Sequence, residues 1–207
     1  MSKKANTEAV IGFSVLIGLV LLALAFVVFV HKQPTVSGNL DSVSTSTAPW
    51  PAETAHLRER LSAIGLPALS NEGTALHIHQ HLDIFIHGTT TPVPEGIGIH
   101  EADGANFIAS IHVHDTTGIV HVESPTVQTF TLGQFFDIWG VRLSSTCIGG
   151  YCSDGTNTFK LYVNGMLYAD DPRKLELASH QEIVITYGTD AEVPKTIPST
   201  YAFPDGY

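Results

Sequence analysis

Residues 76–86 read LHIHQHLDIFI, with an apolar residue at nearly every second position. Successive side chains of a β-strand point to opposite faces of the sheet, so this period of two predicts a strand with one apolar face. The intervening positions include three histidines, His77, His79 and His81. The other face of the predicted strand therefore carries a row of imidazole groups spanning about 13 Å.

A second histidine-containing segment, IHVHDTTGIVHVE, begins at residue 111. Two alternating runs flank Thr116-Thr117, which predicts a β-hairpin over residues 111–115 and 119–123. A register that pairs His114 with Ile119 would place Val113 opposite Val120 and His112 opposite His121. Opposed Cβ atoms are about 4.5–5.5 Å apart, so the last pair would bring two imidazoles together. The histidine face of this hairpin would comprise His112, His114, His121 and Glu123.

Eight of the eleven histidines lie between His77 and His121, and their spacing predicts a metal site if the two segments are adjacent in one sheet. Imidazoles without sulfur ligands suit copper(II) or zinc best, with nickel or iron also possible. Buried hydrogen-bonded histidines or a pH-sensing cluster are the alternatives to metal binding. The candidate ligands are His77, His79, His81, His112, His114 and His121. Carboxylates that could orient the rings or act as general bases are Asp83, Asp115 and Glu123.

The other histidines carry weaker signals. His31, His56 and His180 are isolated in the sequence and are expected not to bind metal. For His87 and His100 the sequence favours neither metal binding nor a structural role. The chain has no H-E-x-x-H, G-x-S-x-G, P-loop or G-x-G-x-x-G motif, so the common signals of zinc proteases, hydrolases, kinases and dehydrogenases are missing.

The remaining periodic segments predict an α+β domain with a mostly antiparallel sheet and one or two helices. Apolar spacing predicts a short helix that ends near Gly65, and a second one between Thr131 and Gly140. Asn164-Gly165 predicts a hairpin, and residues 182–187 a last strand. This order is compatible with a β-grasp-like arrangement, with a purely β sandwich as the alternative.

The N-terminal part predicts a membrane anchor. The 22 residues from Ala9 to Val30 carry no charge, and a helix of this length can cross the bilayer. A cleaved signal peptide is the main alternative. Lys3 and Lys4 precede the segment, so the positive-inside rule places the rest of the chain outside the cytoplasm. We therefore divide the chain into an anchor with a short cytoplasmic tip (1–32), a Ser/Thr/Pro-rich linker (33–52) and an extracytoplasmic domain (53–207).

Two further features agree with that location. Cys147 and Cys152 are the only cysteines, and in an oxidising compartment they are expected to form a disulfide, with thiolate ligation of copper or zinc as the alternative. Residues 33–207 carry seven Lys and Arg against nineteen Asp and Glu, a net charge of −12 with neutral histidines. Nucleic acid and anionic lipid surfaces are therefore not expected partners.

Five segments resemble an uncharacterised family of single-span, membrane-anchored, histidine-rich extracytoplasmic proteins of bacteria and archaea. The resemblance covers about residues 66–188. It rests on EGTALHIHQHLDIFIHG, VPEGIGI, IHVHDTTGIVHVESP, TLGQFFDIWGV and VNGMLYADDPRKLELASHQEIVITYG. The resemblance implies the domain limits and the location, but it implies no enzymatic activity or other specific function.

The sequence thus supports three hypotheses. The first is an accessory or metal-handling domain at the cell surface, which could have an envelope protein partner of unknown identity. The second is a redox or hydrolytic metalloenzyme with three histidine ligands and one open position. The third is an interaction or assembly module whose histidines are incidental.

Overall fold

The computed structural model describes residues 43–102 and 104–207. The predicted membrane anchor and the first part of the predicted linker lie outside these residues. Among the described residues, no helix has both the length and the apolar character that crossing a membrane requires.

The described chain contains two α-helices, one 3-10 helix and eleven strands. The helices are α1 (Leu57–Ala63), α2 (Leu132–Trp139) and the 3-10 turn Pro172–Lys174. The first six strands are β1 (Leu76–Ile86), β2 (Thr89–Thr90), β3 (Ile99–His100), β4 (Phe107–Ile108), β5 (Ile111–His112) and β6 (Ile119–Ser124). The others are β7 (Cys147–Ile148), β8 (Tyr151–Cys152), β9 (Thr158–Val163), β10 (Met166–Tyr168) and β11 (Glu182–Gly188).

Seven strands form the main sheet. Its order is β10-β9-β11-β1-β6-β5, and β2 pairs with one end of β1. Only the two central strands, β1 and β11, run parallel; the other pairs are antiparallel. The pairs β3–β4 and β7–β8 form two small sheets of their own. The predicted α+β domain with a mostly antiparallel sheet is thus confirmed.

The apolar face of the main sheet packs on the helices. Helix α2 begins at a capping box, in which the Thr131 side chain accepts from the Gln134 backbone N–H, and it ends at Gly140 in the left-handed region. Its aromatic residues are fully buried with Leu82 and Ile84 of β1 in the same apolar core. This core holds the strands in place, so the histidine face on the other side of the sheet is built on a rigid support.

The predicted hairpin over residues 111–123 is shorter than expected. His112 does lie opposite His121, as predicted. Val113, however, does not pair with Val120, because its backbone N–H donates to the carbonyl of Ile97 and its carbonyl accepts from the N–H of Gly96. The preceding loop thus takes the backbone groups that the longer hairpin would need, and strand pairing ends at His112.

The hairpin around Asn164-Gly165 and the last strand form as predicted. Cys147 and Cys152 face each other across β7 and β8 and are joined by a disulfide, which confirms that prediction. Residues at the end of the predicted linker also pack on the domain. The Ser44 N–H donates to the carbonyl of Gly140 at 2.7 Å, and Trp50 is buried with its ring edge on Trp139.

Candidate metal centre

Three histidines form a row across three adjacent strands. His79 of β1 lies opposite His121 of β6, and His121 lies opposite His112 of β5. The ring centroids are 4.6 Å apart in the first pair and 5.3 Å in the second, which follows from the usual spacing of neighbouring strands. All three side chains are buried, and the predicted convergence of the two histidine segments is present.

Two further histidines extend this row at its ends. The Nε2 atoms of His77 and His79 are 3.2 Å apart, and those of His112 and His114 are 3.0 Å apart. Two nitrogen ligands that each lie 2.0–2.1 Å from one ion are separated by roughly 2.9–3.4 Å. Each pair is therefore already spaced as two ligands of the same ion.

The carboxylate of Glu123 lies among these rings. It follows His121 by two residues on β6, so both side chains point to the same face. One oxygen, Oε1, lies 3.0 Å from Nε2 of His77 and 3.4 Å from Nδ1 of His121. The other, Oε2, lies 3.8 Å from Nε2 of His112. Glu123 is thus a ligand candidate in its own right, beyond the orienting or general-base role expected from the sequence.

Glu72 is a site residue that sequence analysis missed. Its Oε1 lies 3.3 Å from Nε2 of His114 and 4.0 Å from Nε2 of His112. Glu72 comes from the irregular segment before β1, where no period or turn motif points to a position in the fold. Its available signals were its position four residues before the first histidine strand and its place at the start of a segment that resembles the histidine-rich family.

The potential ligand atoms around Glu123 fall into two neighbouring sets. Within each set, one atom per residue lies within 4.8 Å of every other. The first set is His112, His114, His121 and Glu123, and the second is His77, His79 and Glu123. Five of the six predicted histidines therefore meet around Glu123.

His81 is separate from this group, although it shares the face of His77 and His79. Its Nε2 lies 2.9 Å from the Thr117 carbonyl and its Nδ1 lies 3.0 Å from the Glu182 carboxylate. Both partners are acceptors, so both ring nitrogens must donate and neither keeps a lone pair for a metal. Burial by itself would lower the pKa of His81, but the hydrogen bond and charge of Glu182 raise it above its ordinary value. His81, Asp83 and Glu182 form a further group with ligand atoms within 4.8 Å of one another, but the two hydrogen bonds of His81 occupy both of its nitrogens.

The histidines of the row are held neutral. Burial, reinforced by the neighbouring imidazoles, lowers the pKa of His79 and of His112 to about 4 and that of His121 to about 3. Neutral imidazole is the form that coordinates metals. The Nδ1–H of His112 donates to the carbonyl of Ala109 at 3.0 Å, which directs the Nε2 lone pair into the cluster.

Glu123 is perturbed in the opposite direction. Burial raises the pKa of its carboxyl group to about 7, and the nearby charge of Glu72 adds to this shift. A buried carboxylate next to a second carboxylate is unfavourable unless a cation or a proton compensates the charge. The centre therefore combines neutral nitrogen donors with carboxylates that a cation would stabilise.

The remaining candidates contact other groups. His100 Nδ1 lies 3.0 Å from the Thr54 carbonyl, His87 Nδ1 lies 3.1 Å from Glu192, and His180 Nε2 lies 2.9 Å from the Tyr207 carbonyl. His56 pairs with Glu53, whereas Asp115 accepts hydrogen bonds from Thr117 in the loop between β5 and β6. None of these residues belongs to the two sets around Glu123, and His31 lies outside the described residues.

The segment around residues 201–207 covers part of the histidine face. The ring of Tyr201 stacks on His81 at 3.8 Å, and the ring of Tyr207 lies 4.6 Å from His79 and 5.5 Å from His121. These aromatic contacts shield the centre of the row from solvent. His77 and His114 at its two ends remain 52% and 41% exposed, so the cluster is open to small solutes there.

No family model matches the chain, and no curated protein or solved structure is significantly similar to it. The functional interpretation therefore depends on the geometry and chemistry of the residues themselves.

Proposed function

We propose that this chain binds a divalent transition metal, copper(II) or zinc, through histidines on adjacent strands, and that it serves an accessory or metal-handling role. The observation that carries the proposal is the cluster of His112, His114, His121 and Glu123, whose ligand atoms lie within 4.8 Å of one another. Three imidazole nitrogens and one carboxylate oxygen on a rigid sheet meet the requirements of a four-coordinate site.

Hydrogen bonding within the cluster does not satisfy these rings as well as a metal would. Two imidazole nitrogens at 3.0 Å need one N–H between them, and His112 already uses its Nδ1–H on the Ala109 carbonyl. His114 would then have to supply that N–H, but its Nε2 also lies 3.3 Å from Oε1 of Glu72, so one proton would have to serve two acceptors. An ion accepts both lone pairs at once, which favours metal binding over a purely hydrogen-bonded cluster.

The choice of copper(II) or zinc follows from donor type. Imidazole and carboxylate ligands suit both ions, and the two cysteines are held in a disulfide, so no thiolate is available among the described residues for a softer ion. Four protein groups around one position support a binding or handling role. A metalloenzyme would need an open coordination position, and the exposure of His77 and His114 at the two ends of the row is the observation that favours this alternative.

We also propose an extracytoplasmic location, with the segment Ala9–Val30 as the membrane anchor, and membership in the histidine-rich, membrane-anchored family. The uncharged length of the segment and the disulfide support this location. The central parallel pair β1–β11, flanked by antiparallel β6 and β9 with α2 between these two in sequence, supports a β-grasp-like arrangement. An envelope protein that delivers or receives the metal would be the corresponding partner.

The proposal is tested by titrating the 207-residue chain, purified in detergent without a histidine tag and stripped with a chelator, with copper(II) or zinc. Stoichiometric uptake is expected, with at least a 100-fold weaker affinity in the double variant His112→Ala/His114→Ala. His56→Ala, which removes an exposed histidine outside the cluster, serves as the matched control and should bind like the parent chain. If neither ion is taken up, or if the double variant binds as tightly as the control, the histidines are incidental and the interaction-module hypothesis replaces the proposal.

A further inference from the structure

The five clustered histidines and Glu123 do not form one compact ligand set. The pair His77 and His79 lies on β1, whereas the pair His112 and His114 lies on and just after β5. Strand β6 runs between these two strands, so their backbones are separated by two strand spacings of about 4.8 Å. The two Nε2 atoms are 3.2 Å apart in the first pair and 3.0 Å apart in the second, and Glu123 is the residue that both ligand sets share.

The orientation of the Glu123 carboxylate matches this division. Its Oε1 lies 3.0 Å from Nε2 of His77, on the side of the β1 pair, and 3.4 Å from Nδ1 of His121 on β6 between the two pairs, whereas its Oε2 lies 3.8 Å from Nε2 of His112, on the side of the β5 pair. A carboxylate that offers one oxygen to each of two nitrogen pairs has the arrangement of a bridging ligand. Two-metal sites commonly hold their ions about 3.5–4 Å apart, a distance that one carboxylate can span.

The charge of the cluster also fits more than one cation. One oxygen of Glu72 and one of Glu123 lie 4.0 and 3.8 Å from the same atom, Nε2 of His112, and two carboxylates this close together are favoured by a cation beside them. Glu72 lies on the side of the β5 pair, 3.3 Å from His114, where it can add a second carboxylate oxygen to that ion.

We propose that the centre holds two divalent transition-metal ions bridged by the carboxylate of Glu123. One ion is bound by His112, His114 and His121, with Glu72 beside it, and the other by His77 and His79. This inference rests on the proposed metal binding and extends it from one ion to two. The second ion has only three protein ligands, one of them the exposed His77, so it is the ion that exchanges with solvent or a partner.

The test uses copper(II), because two coupled copper(II) ions lose electron paramagnetic resonance intensity relative to isolated ions. The stripped 207-residue chain is titrated and its copper content is compared with the doubly integrated signal. Two equivalents per chain are expected, with an integrated intensity well below the copper content. His77→Ala/His79→Ala should bind one equivalent at full signal intensity, whereas the control His56→Ala should keep two coupled ions.

The outcomes separate this inference from the proposed function. One equivalent at full intensity in the parent chain overturns the two-ion centre and leaves metal binding intact, whereas no uptake overturns both. Two equivalents at full intensity overturn the Glu123 bridge. If the double variant loses its circular dichroism spectrum of the folded state, Glu123→Gln replaces it, because glutamine keeps the volume but not the bridging anion. That variant should show full signal intensity for whatever copper it binds, and a coupled signal would contradict the proposal.

Discussion

At the scale of single residues, hydrogen-bond partners separate histidines that the sequence pattern makes equivalent. His79 and His81 occupy the same face of β1 two positions apart, yet only His79 is held neutral within the cluster. His81 instead donates from both ring nitrogens, to Glu182 and to the carbonyl of Thr117. One side chain is therefore suited to bind a cation and the other to act as one.

The lowered pKa values predict how the metal-free protein responds to acid. His79, His112 and His121 have pKa values of about 4, 4 and 3 in the fold against an ordinary 6.5, so the unfolded chain binds their protons first. Their contribution to stability is present above pH 6.5 and is lost progressively as the pH falls toward 4. The raised pKa values of Glu123 and His81 act in the opposite direction, so they offset part of this loss.

We therefore expect a lower urea midpoint for the stripped chain at pH 5 than at pH 7. His121→Asn removes the group with the lowest pKa of the three and should reduce the difference between the two midpoints. Equal midpoints in the parent chain, or an unchanged difference in the variant, would contradict the assignment of these histidines as buried neutral groups.

At the scale of secondary structure, the short strand β5 connects the core with the metal centre. Ile111 and Val113 are fully buried in the apolar core, whereas His112 between them points to the histidine face. The backbone of Val113 is held by Gly96 and Ile97 rather than by β6. The strand thus keeps its alternation although its pairing ends early.

This alternation predicts opposite effects for adjacent substitutions. Val113→Asp should unfold the domain or lower its stability by several kcal/mol, because it buries a charge without a partner. Val113→Ala should cost less, about 1.6 kcal/mol for two lost carbon groups at about 0.8 kcal/mol each, plus a contribution from the cavity left behind. His112→Ala and His121→Ala should each weaken metal binding to a similar extent while the domain stays folded.

Urea unfolding and metal titration of the four variants measure these effects. The assignment of faces is wrong if Val113→Asp folds with normal stability, or if the histidine variants unfold while they keep the affinity of the parent chain.

At the scale of the whole molecule, the centre joins parts of the chain that are far apart in sequence. Its ligands come from β1, from the end of β5 and from β6, and Glu72 belongs to the segment before β1. A metal that binds only the folded arrangement stabilises it by about 2.7 kcal/mol at 100 times its dissociation constant. In a chain of this size each kcal/mol raises the melting temperature by about 2–4 °C.

Calorimetry should therefore show a rise of roughly 5–10 °C on addition of copper(II) or zinc at 100 times its dissociation constant, reversed by a chelator. Magnesium, which prefers oxygen ligands, serves as the control ion and should leave the melting temperature unchanged. The absence of any shift with the transition metals would show that the cluster does not bind them in the folded state.

The sequence by itself determined the strand character of β1, the pairing of His112 with His121 and the hairpin turns at Thr116-Thr117 and Asn164-Gly165. These features depend on residues close in the chain, because side-chain alternation and turn conformation are local properties of the backbone. The same local rules predicted the histidine face and five of the six histidines that meet around Glu123 or were expected to do so. They also predicted the helix between Thr131 and Gly140.

Only the tertiary structure decided the position of Glu72, the separation of His81 and the shortening of the predicted hairpin. Glu182 reaches His81 because β11 lies beside β1, although the two residues are 101 positions apart in the chain. The loop at Gly96 and Ile97 competes with β6 for the backbone of Val113 only after the chain has folded back on itself. Contacts between distant segments leave no period or motif in the sequence, since they depend on how the sheet and its loops pack.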